Sequence, residues 1–132
     1  GLIMHLLTPV SPGELLDKLT ILEIKRARIT DADKLDNIEH EWRVLTEIWS
    51  DASLEAPGLN ERRDELKAIN ESLWDIEDDI RQCEAKKDFG ERFVELARAV
   101  YQTNDRRAEV KKKINLLLGS RLVEEKSYTD YG

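Results

Sequence analysis

The stretch from Asn60 to Cys83, NERRDELKAINESLWDIEDDIRQC, decides the fold. Its apolar side chains recur at spacings of three and four residues, which places them on one face of an α-helix. They are Leu66, Ile69, Leu73, Ile76, Ile80 and Cys83. Asn60 is a good N-cap residue. The pattern therefore predicts a third helix of about 28 residues, roughly 42 Å long.

A second long helix follows this stretch. The sequence Asp88-Phe89-Gly90-Glu91 is a capping pattern that leaves only a tight turn after the preceding helix. We expect this helix 4 to run to Leu118, where Gly119 can supply a left-handed stop. Helices 3 and 4 are therefore predicted to form an antiparallel hairpin.

Two shorter helices precede the hairpin. Ser11-Pro12-Gly13-Glu14 is a strong helix start, so helix 1 is expected over residues 12–29, with one apolar stripe. Its members are Leu15, Leu19, Leu22 and Ile29. Thr30 followed by Asp33 repeats the capping pattern and predicts helix 2, which should run to about residue 52. Residues Leu35, Ile38, Trp42, Leu45 and Trp49 alternate at three and four, as in a coiled-coil seam, which favours core positions for the two tryptophans.

These patterns predict an all-α fold: long antiparallel helical hairpins that form a four-helix, coiled-coil-like bundle. We expect one domain over residues 1–132, with an extended N-terminal segment at 1–10 and an extended C-terminal tail at 120–132. Because helices 3 and 4 look longer than helices 1 and 2, the long hairpin should overhang and leave part of its seam uncovered. That geometry predicts a homodimer.

Composition excludes several classes of protein. Charged residues make up 37% and the net charge is −7, which argues against nucleic-acid binding. Residues 31–80 carry 16 acidic and 5 basic side chains, whereas residues 81–121 carry 6 acidic and 11 basic ones. The basic segment leaves a local anion-binding site as an alternative. The single cysteine allows no internal disulfide and suits a reducing cytoplasm. The apolar start lacks a basic region and a cleavage site, so we expect neither a signal peptide nor a membrane interaction.

No motif indicates catalysis, a metal or a cofactor. Six pairs of acids stand three residues apart, among them Asp75 and Asp78, but 28 acids in 132 residues produce about that many by chance. Neither His5 nor His40 follows a glutamate by three residues, as di-iron bundles require. Cys83 lies on an apolar stripe, where a structural thiol is expected rather than a nucleophile. We therefore predict no catalytic residue, no metal ligand and no cofactor.

Arg107 breaks the apolar stripe of helix 4. It lies between Val100 and Ile114, and Asn104, Lys111 and Asn115 flank it at helical spacing. A guanidinium in a seam must pair with a carboxylate, reach solvent or meet an anionic ligand, because a bare buried charge costs several kcal/mol. One interpretation is an ion pair to the acidic helices 2 and 3; the other is an anion site.

Three cations of helix 1 bear on the same question. Arg26 interrupts the stripe of helix 1 as Arg107 does that of helix 4. Lys18 and Lys25 stand seven residues apart and so share a face, where Lys18 can also pair with Glu14 at the surface. The candidate ligand-binding residues are therefore Lys18, Lys25, Asn104, Arg107, Lys111 and Asn115.

The sequence resembles a family of small bacterial proteins of unknown function. The resemblance rests on a head, GELLDKLTILEIK at residues 13–25, and on a tail, NDRRAEVKKKIN at residues 104–115 with EKSY at 125–128. It covers essentially residues 9–128 and implies a bacterial cytoplasmic protein, with no activity, cofactor or catalytic residue to transfer. A weaker likeness, to the helical chorismate mutases, concerns only the architecture and the cationic seam.

Three functions follow from these observations. The first is a non-catalytic helical oligomerisation or interaction module with structural ion pairs. The second is a binder of a small anionic metabolite, and the third is a metal-free enzyme of chorismate-mutase type. The bonding of Arg107 discriminates between them, because a carboxylate partner within the bundle favours the first.

Overall fold

The protein consists of four α-helices in a computed structural model that describes residues 4–121 and 125–131. The helices are α1 (Pro12–Arg28), α2 (Ala32–Ala52), α3 (Leu59–Ala85) and α4 (Glu91–Leu117). Of the described residues, 74% are helical and none lies in a strand. The predicted all-α fold is therefore confirmed. Our expectations for residues 1–3, 122–124 and 132 lie outside the described residues.

Local capping explains where the first and last helices begin or end. The Ser11 side chain accepts a hydrogen bond from the Glu14 backbone N–H at 3.2 Å, as the capping pattern predicts. Pro12 occupies the first turn, where its missing N–H costs nothing. At the other end of the chain, Gly119 adopts a left-handed conformation with a φ of 65° just after α4.

Three of the predicted cap residues are wrong. The N-cap of α2 is Asp31, whose side chain accepts from the Lys34 N–H at 3.0 Å, and not Thr30. The N-cap of α3 is Gly58, so Asn60 lies inside the helix. Asp88, three residues before α4 begins, accepts from the Gly90 N–H at 3.1 Å and therefore orders the turn rather than the helix end.

The bundle is asymmetric because α1 lies at its centre. Helix α1 packs against each of the other three helices, and α3 packs along α4. In the described chain, no Cα atom of α2 lies within 8 Å of one in α3 or α4. Only Ile38 of α2 is buried, while Trp42, Leu45 and Trp49 are partly buried against the core. Helix α2 is thus a flanking helix on α1.

The core lies where α1 meets the first half of α3 and the second half of α4. Leu16, Leu66 and Ile114 are fully buried there, one from each helix. Val110 continues the stripe of α4, with 2% of its surface exposed. Leu117, the last residue of α4, is 42% exposed.

The hairpin of α3 and α4 extends beyond α1, as its length predicts. Helix α1 has 17 residues and α3 and α4 have 27 each. Arg28, the last residue of α1, pairs with Asp75 of α3 at 2.5 Å. Beyond this pair, α1 no longer packs against the hairpin. We call residues 76–100 the distal hairpin.

Candidate functional site

The head and tail motifs of the sequence meet along the interface of α1 and α4. The Gly13 N–H donates to Asn115 Oδ1 at 2.7 Å, and Lys111 Nζ lies 2.7 Å from Glu14 Oε2. Arg107 pairs with Asp17 one turn further along. Since positions 107, 111 and 115 are four residues apart, they lie on one face of α4. This face contacts α1 in antiparallel order, so that later residues of α4 meet earlier residues of α1. We call these contacts the α1–α4 polar interface.

The strongest contact of this interface is the bidentate pair between Asp17 and Arg107. Arg107 Nε donates to Asp17 Oδ1 at 2.8 Å, and the terminal nitrogen Nη2 donates to Asp17 Oδ2 at 2.5 Å. Asp17 is 1% exposed, whereas the Arg107 side chain is 29% exposed. A planar guanidinium matches both carboxylate oxygens, so this geometry fixes orientation as well as charge.

Asn70 of α3 completes the network from the opposite side. Its Nδ2 donates to Asp17 Oδ1 at 2.9 Å and to Thr20 Oγ1 at 3.0 Å. The Thr20 hydroxyl in turn donates to the backbone carbonyl of Asp17 at 2.8 Å. In the described chain, every fully buried side-chain nitrogen or oxygen has a hydrogen-bond partner. The interface therefore holds a buried charge without leaving a buried polar atom unsatisfied.

Gly13 allows α1 to approach α4 closely enough for these contacts. A Cβ at this position would lie 2.5 Å from the Lys111 backbone carbonyl oxygen and 2.9 Å from Asn115 Oδ1. The first of these atoms belongs to the backbone and cannot move aside. A glycine at the start of α1 is therefore a requirement of packing between the two helices.

Four of the six candidate ligand-binding residues come together on α4. Asn104 Oδ1 lies 3.5 Å from a terminal nitrogen of Arg107, and Lys111 and Asn115 follow on the same face. Lys18 is exposed and Lys25 is half-buried, and neither side chain makes a hydrogen bond or ion pair with another described residue.

The two seam arginines have carboxylate partners on different helices. Arg26 pairs with Glu39 of α2 at 2.5 Å and lies 3.9 Å above the Trp42 ring, in agreement with an ion pair to an acidic helix. For Arg107, the predicted ion pair to helix 2 or 3 is wrong. Its carboxylate is Asp17 of α1 rather than a residue of helix 2 or 3.

Residues 125–131 lie along α4. Lys112 Nζ lies 3.0 Å from Glu125 Oε1, and the Tyr131 hydroxyl donates to Asp105 Oδ2 at 2.7 Å. The rings of Tyr131 and Tyr101 meet edge to face with centroids 5.2 Å apart. The hydrogen bond to Asp105 is the main reason that the pKa of Tyr131 is raised above its ordinary value of 10.0, and lost hydration and the Asp105 charge add to it.

Sequence reasoning missed Asp17, Thr20 and Asn70 as members of the network. A signal for Asn70 was present, since it lies four residues after Leu66 and three before Leu73 and so interrupts the apolar stripe as Arg107 does. Asp17 gave a weaker signal, because it adjoins Leu16 on the buried side of α1.

Two further searches give negative results for the described residues. No group of three or more histidine, cysteine, aspartate or glutamate side chains there could hold a metal ion. None of the helices in residues 4–121 is long and apolar enough to cross a membrane.

Comparison with known proteins places the chain in a family. A family model, "Family of unknown function (DUF6165)", matches residues 6–131. The chain belongs to this family. The matched range contains all four helices and the α1–α4 polar interface. No curated protein and no solved structure matches the chain.

Proposed function

We propose that this protein is a non-catalytic interaction module and that its distal hairpin pairs with the distal hairpin of a second copy. One observation carries the proposal: the apolar seam continues past the end of α1, where no other described helix covers it. Ile69 and Leu73 are each 9% exposed, whereas Ile76 and Ile80, at the same spacing, are only half-buried; Cys83, the last member of the seam, is buried again.

The α4 side of the distal hairpin supports the same reading. Phe93, Leu96 and Val100 occupy seam positions and are half-buried. Val94 and Phe89 expose 51% of their surface each. A cluster of incompletely buried apolar side chains at one end of a bundle is typical of a protein–protein contact.

The charges of the distal hairpin favour one arrangement of the two copies. Residues 76–85 of α3 carry four acids and one arginine, while residues 91–100 of α4 carry two charges of each sign. Packing α3 against the partner's α3 would place acids against acids. Packing α3 against the partner's α4 avoids that repulsion and closes a short four-helix bundle under two-fold symmetry.

The size of the contact predicts a weak dimer. Each of the two helices of the distal hairpin contributes about ten residues, or about 15 Å of helix. Such a contact lies at the lower end of the areas that specific interfaces bury, so we expect self-association in the micromolar range.

Light scattering over a concentration series, from low to high micromolar, tests the proposal. The native protein should pass from monomer to dimer mass. Val94→Lys places a charge in the interface and should weaken the dimer about tenfold or more, with little effect on the monomer because Val94 is exposed there. A monomer at every concentration would overturn the proposal.

Val44→Lys is the matched control. Val44 is 37% exposed on α2, which lies away from the distal hairpin. The control should dimerise as the native protein does. Loss of the dimer in Val44→Lys but not in Val94→Lys would place the interface on α2 and contradict the proposed surface.

A further inference from the structure

A groove between α1 and α3 lies beside the buried network and shares Asn70 with it. Its volume is about 380 Å³, within the range of small-ligand sites. Ile21, Leu73 and Trp74 form its apolar wall, and Asn70 lines one end. Glu77, Asp78 and Arg81 line the other end.

Asn70 presents an unused hydrogen-bond acceptor to this groove. The residue is 5% exposed, and its Nδ2 is bound to Asp17 and Thr20. Because the Asp17 carboxylate can only accept, the amide orientation is fixed and Oδ1 points away from α1. No described residue donates a hydrogen bond to Oδ1. Since no fully buried side-chain oxygen in these residues lacks a partner, Oδ1 must reach solvent, and the groove is the opening that Asn70 lines.

The far end of the groove keeps a negative charge. Glu77 is neutralised by Arg81 at 2.5 Å. Asp78 accepts a hydrogen bond at 2.8 Å from the neutral amide of Gln82, and it pairs with no cation among the described residues. Asp78 therefore offers a carboxylate to a positive group at the rim.

The two ends are separated by a hydrocarbon wall of defined length. Asn70 and Asp78 are eight residues apart on α3, so their Cα atoms lie about 12 Å apart along the axis. Side chains reaching inward shorten this distance. The span suits a chain of about six carbons lying against Trp74 and Leu73.

We propose that this groove binds a linear aliphatic amine whose far end carries a hydrogen-bond donor. The ammonium would lie beside Asp78, whose carboxylate attracts a cation. The Trp74 ring already has the Arg28 guanidinium carbon 5.8 Å from its centroid, so it serves here as part of the apolar wall. The methylenes would cover Ile21, Leu73 and Trp74. The N–H or O–H at the far end would donate to Asn70 Oδ1. Glu77, Asp78 and Arg81 belong to the distal hairpin, so binding is measured at low protein concentration, where the proposed dimer is dissociated.

Calorimetric titration of the full chain with four matched probes tests both ends of the groove. We expect saturable binding of 6-amino-1-hexanol and 1,6-diaminohexane. Hexylamine lacks the far donor and should bind about three- to tenfold more weakly, the value of one hydrogen bond. The reversed charge of 6-hydroxyhexanoate replaces the attraction to Asp78 by repulsion and should weaken binding about tenfold or more. Testing the Asn70 contact through the probe leaves its bonds to Asp17 and Thr20 intact.

Two variants locate the site. Asp78→Asn should weaken 6-amino-1-hexanol about two- to fivefold, as expected for an exposed charge pair. Asp36→Asn removes the same charge from the exposed face of α2 and should leave the affinity unchanged. Ile21→Trp fills the groove and should prevent binding, with the folded state checked by circular dichroism.

Several results would overturn the proposal. These are the absence of saturable 6-amino-1-hexanol binding, equal affinity for 6-hydroxyhexanoate, and equal effects of Asp78→Asn and Asp36→Asn. Because Asp78→Asn changes only a rim side chain, that comparison decides the question even if Ile21→Trp fails to fold.

Discussion

Asp17 and Arg107 stand 90 residues apart in the sequence and form a bidentate ion pair that joins α1 to α4. The carboxylate is buried and also accepts from Asn70, so three helices converge on one charged group. An ion pair of this kind fixes which helix faces which, because any other register would leave a buried charge unpaired. This bonding favours a structural role for Arg107.

Replacing Arg107 by leucine should therefore destabilise the protein. The substitution completes the apolar stripe of α4, but it leaves the Asp17 carboxylate buried without a cation. We expect a loss of about 3–5 kcal/mol in the free energy of unfolding, measured by urea denaturation. Arg106→Leu is the control, because Arg106 is exposed, and it should change stability by less than about 0.5 kcal/mol. Equal or higher stability of Arg107→Leu would contradict a structural role.

Gly13→Ala should also destabilise the protein, against the direction of helix propensity. Alanine favours a helix over glycine by roughly 0.5–1 kcal/mol. Here its Cβ would collide with the Lys111 carbonyl, and overpacking of this kind costs about 1–3 kcal/mol. Thermal unfolding should show a lower Tm. Gly90→Ala, where the nearest atom to the new Cβ is a side-chain oxygen at 3.4 Å, should have a small effect. A higher Tm for Gly13→Ala would mean that α1 does not approach α4 this closely.

Docking of the C-terminal tail should weaken in alkaline solution. The pKa of Tyr131 is raised above 10.0 because its neutral hydroxyl donates to Asp105. A group whose pKa is raised in the folded state contributes stability below its ordinary pKa and loses that contribution as pH rises through the raised value. Tyrosinate absorbance should therefore show one tyrosine that titrates late, and Tyr131→Phe should remove it.

Two controls accompany this titration. Tyr128→Phe removes a tyrosine that is 82% exposed and should leave the late titration in place. Asp105→Asn keeps every tyrosine and should lower the late pKa toward its ordinary value. Identical curves for Tyr131→Phe and Tyr128→Phe would show that the tail does not dock through Tyr131.

The anion-site hypothesis stays a prediction with a direct test. If Arg107, Lys111 and Asn104 receive a small anion, phosphate should raise the Tm progressively with concentration. Since Arg107 and Lys111 already face Asp17 and Glu14, we expect no shift beyond that of chloride at equal ionic strength. A phosphate-specific rise that Lys111→Gln removes would instead support the binding of an anionic metabolite.

Much of the fold could be predicted because its information is local. The spacing of apolar residues within α3 and the tight turn at Asp88 do not depend on the rest of the chain, and both appear in the structure. Cap positions could not be predicted to the residue. Neighbouring residues such as Thr30 and Asp31 can both accept a hydrogen bond from a backbone N–H of the first turn, and the backbone conformation decides which of them is the N-cap.

The candidate site could be predicted only in part. The break in the stripe at Arg107 indicated that this residue needs a partner, and its companions on α4 follow from helical spacing. The sequence favoured the acids of α2 and α3 as the partner of Arg107, because residues 31–80 carry 16 acidic side chains, and it did not indicate Asp17. Lys18 and Lys25 share a face of α1, but neither side chain contacts Asn104 or Arg107 in the described residues.

By itself, therefore, the sequence determined four amphipathic helices, the α3–α4 hairpin and the need of Arg107 for a carboxylate, for solvent or for an anionic ligand. These properties depend on periodicity and on the cost of a bare charge, which are fixed within a few turns of helix. The tertiary structure alone decided that Asp17 satisfies Arg107 and that Asn70 joins them. The choice depends on the close approach at Gly13, which brings α1 within bonding distance of α4 and sets the register of every contact along that interface.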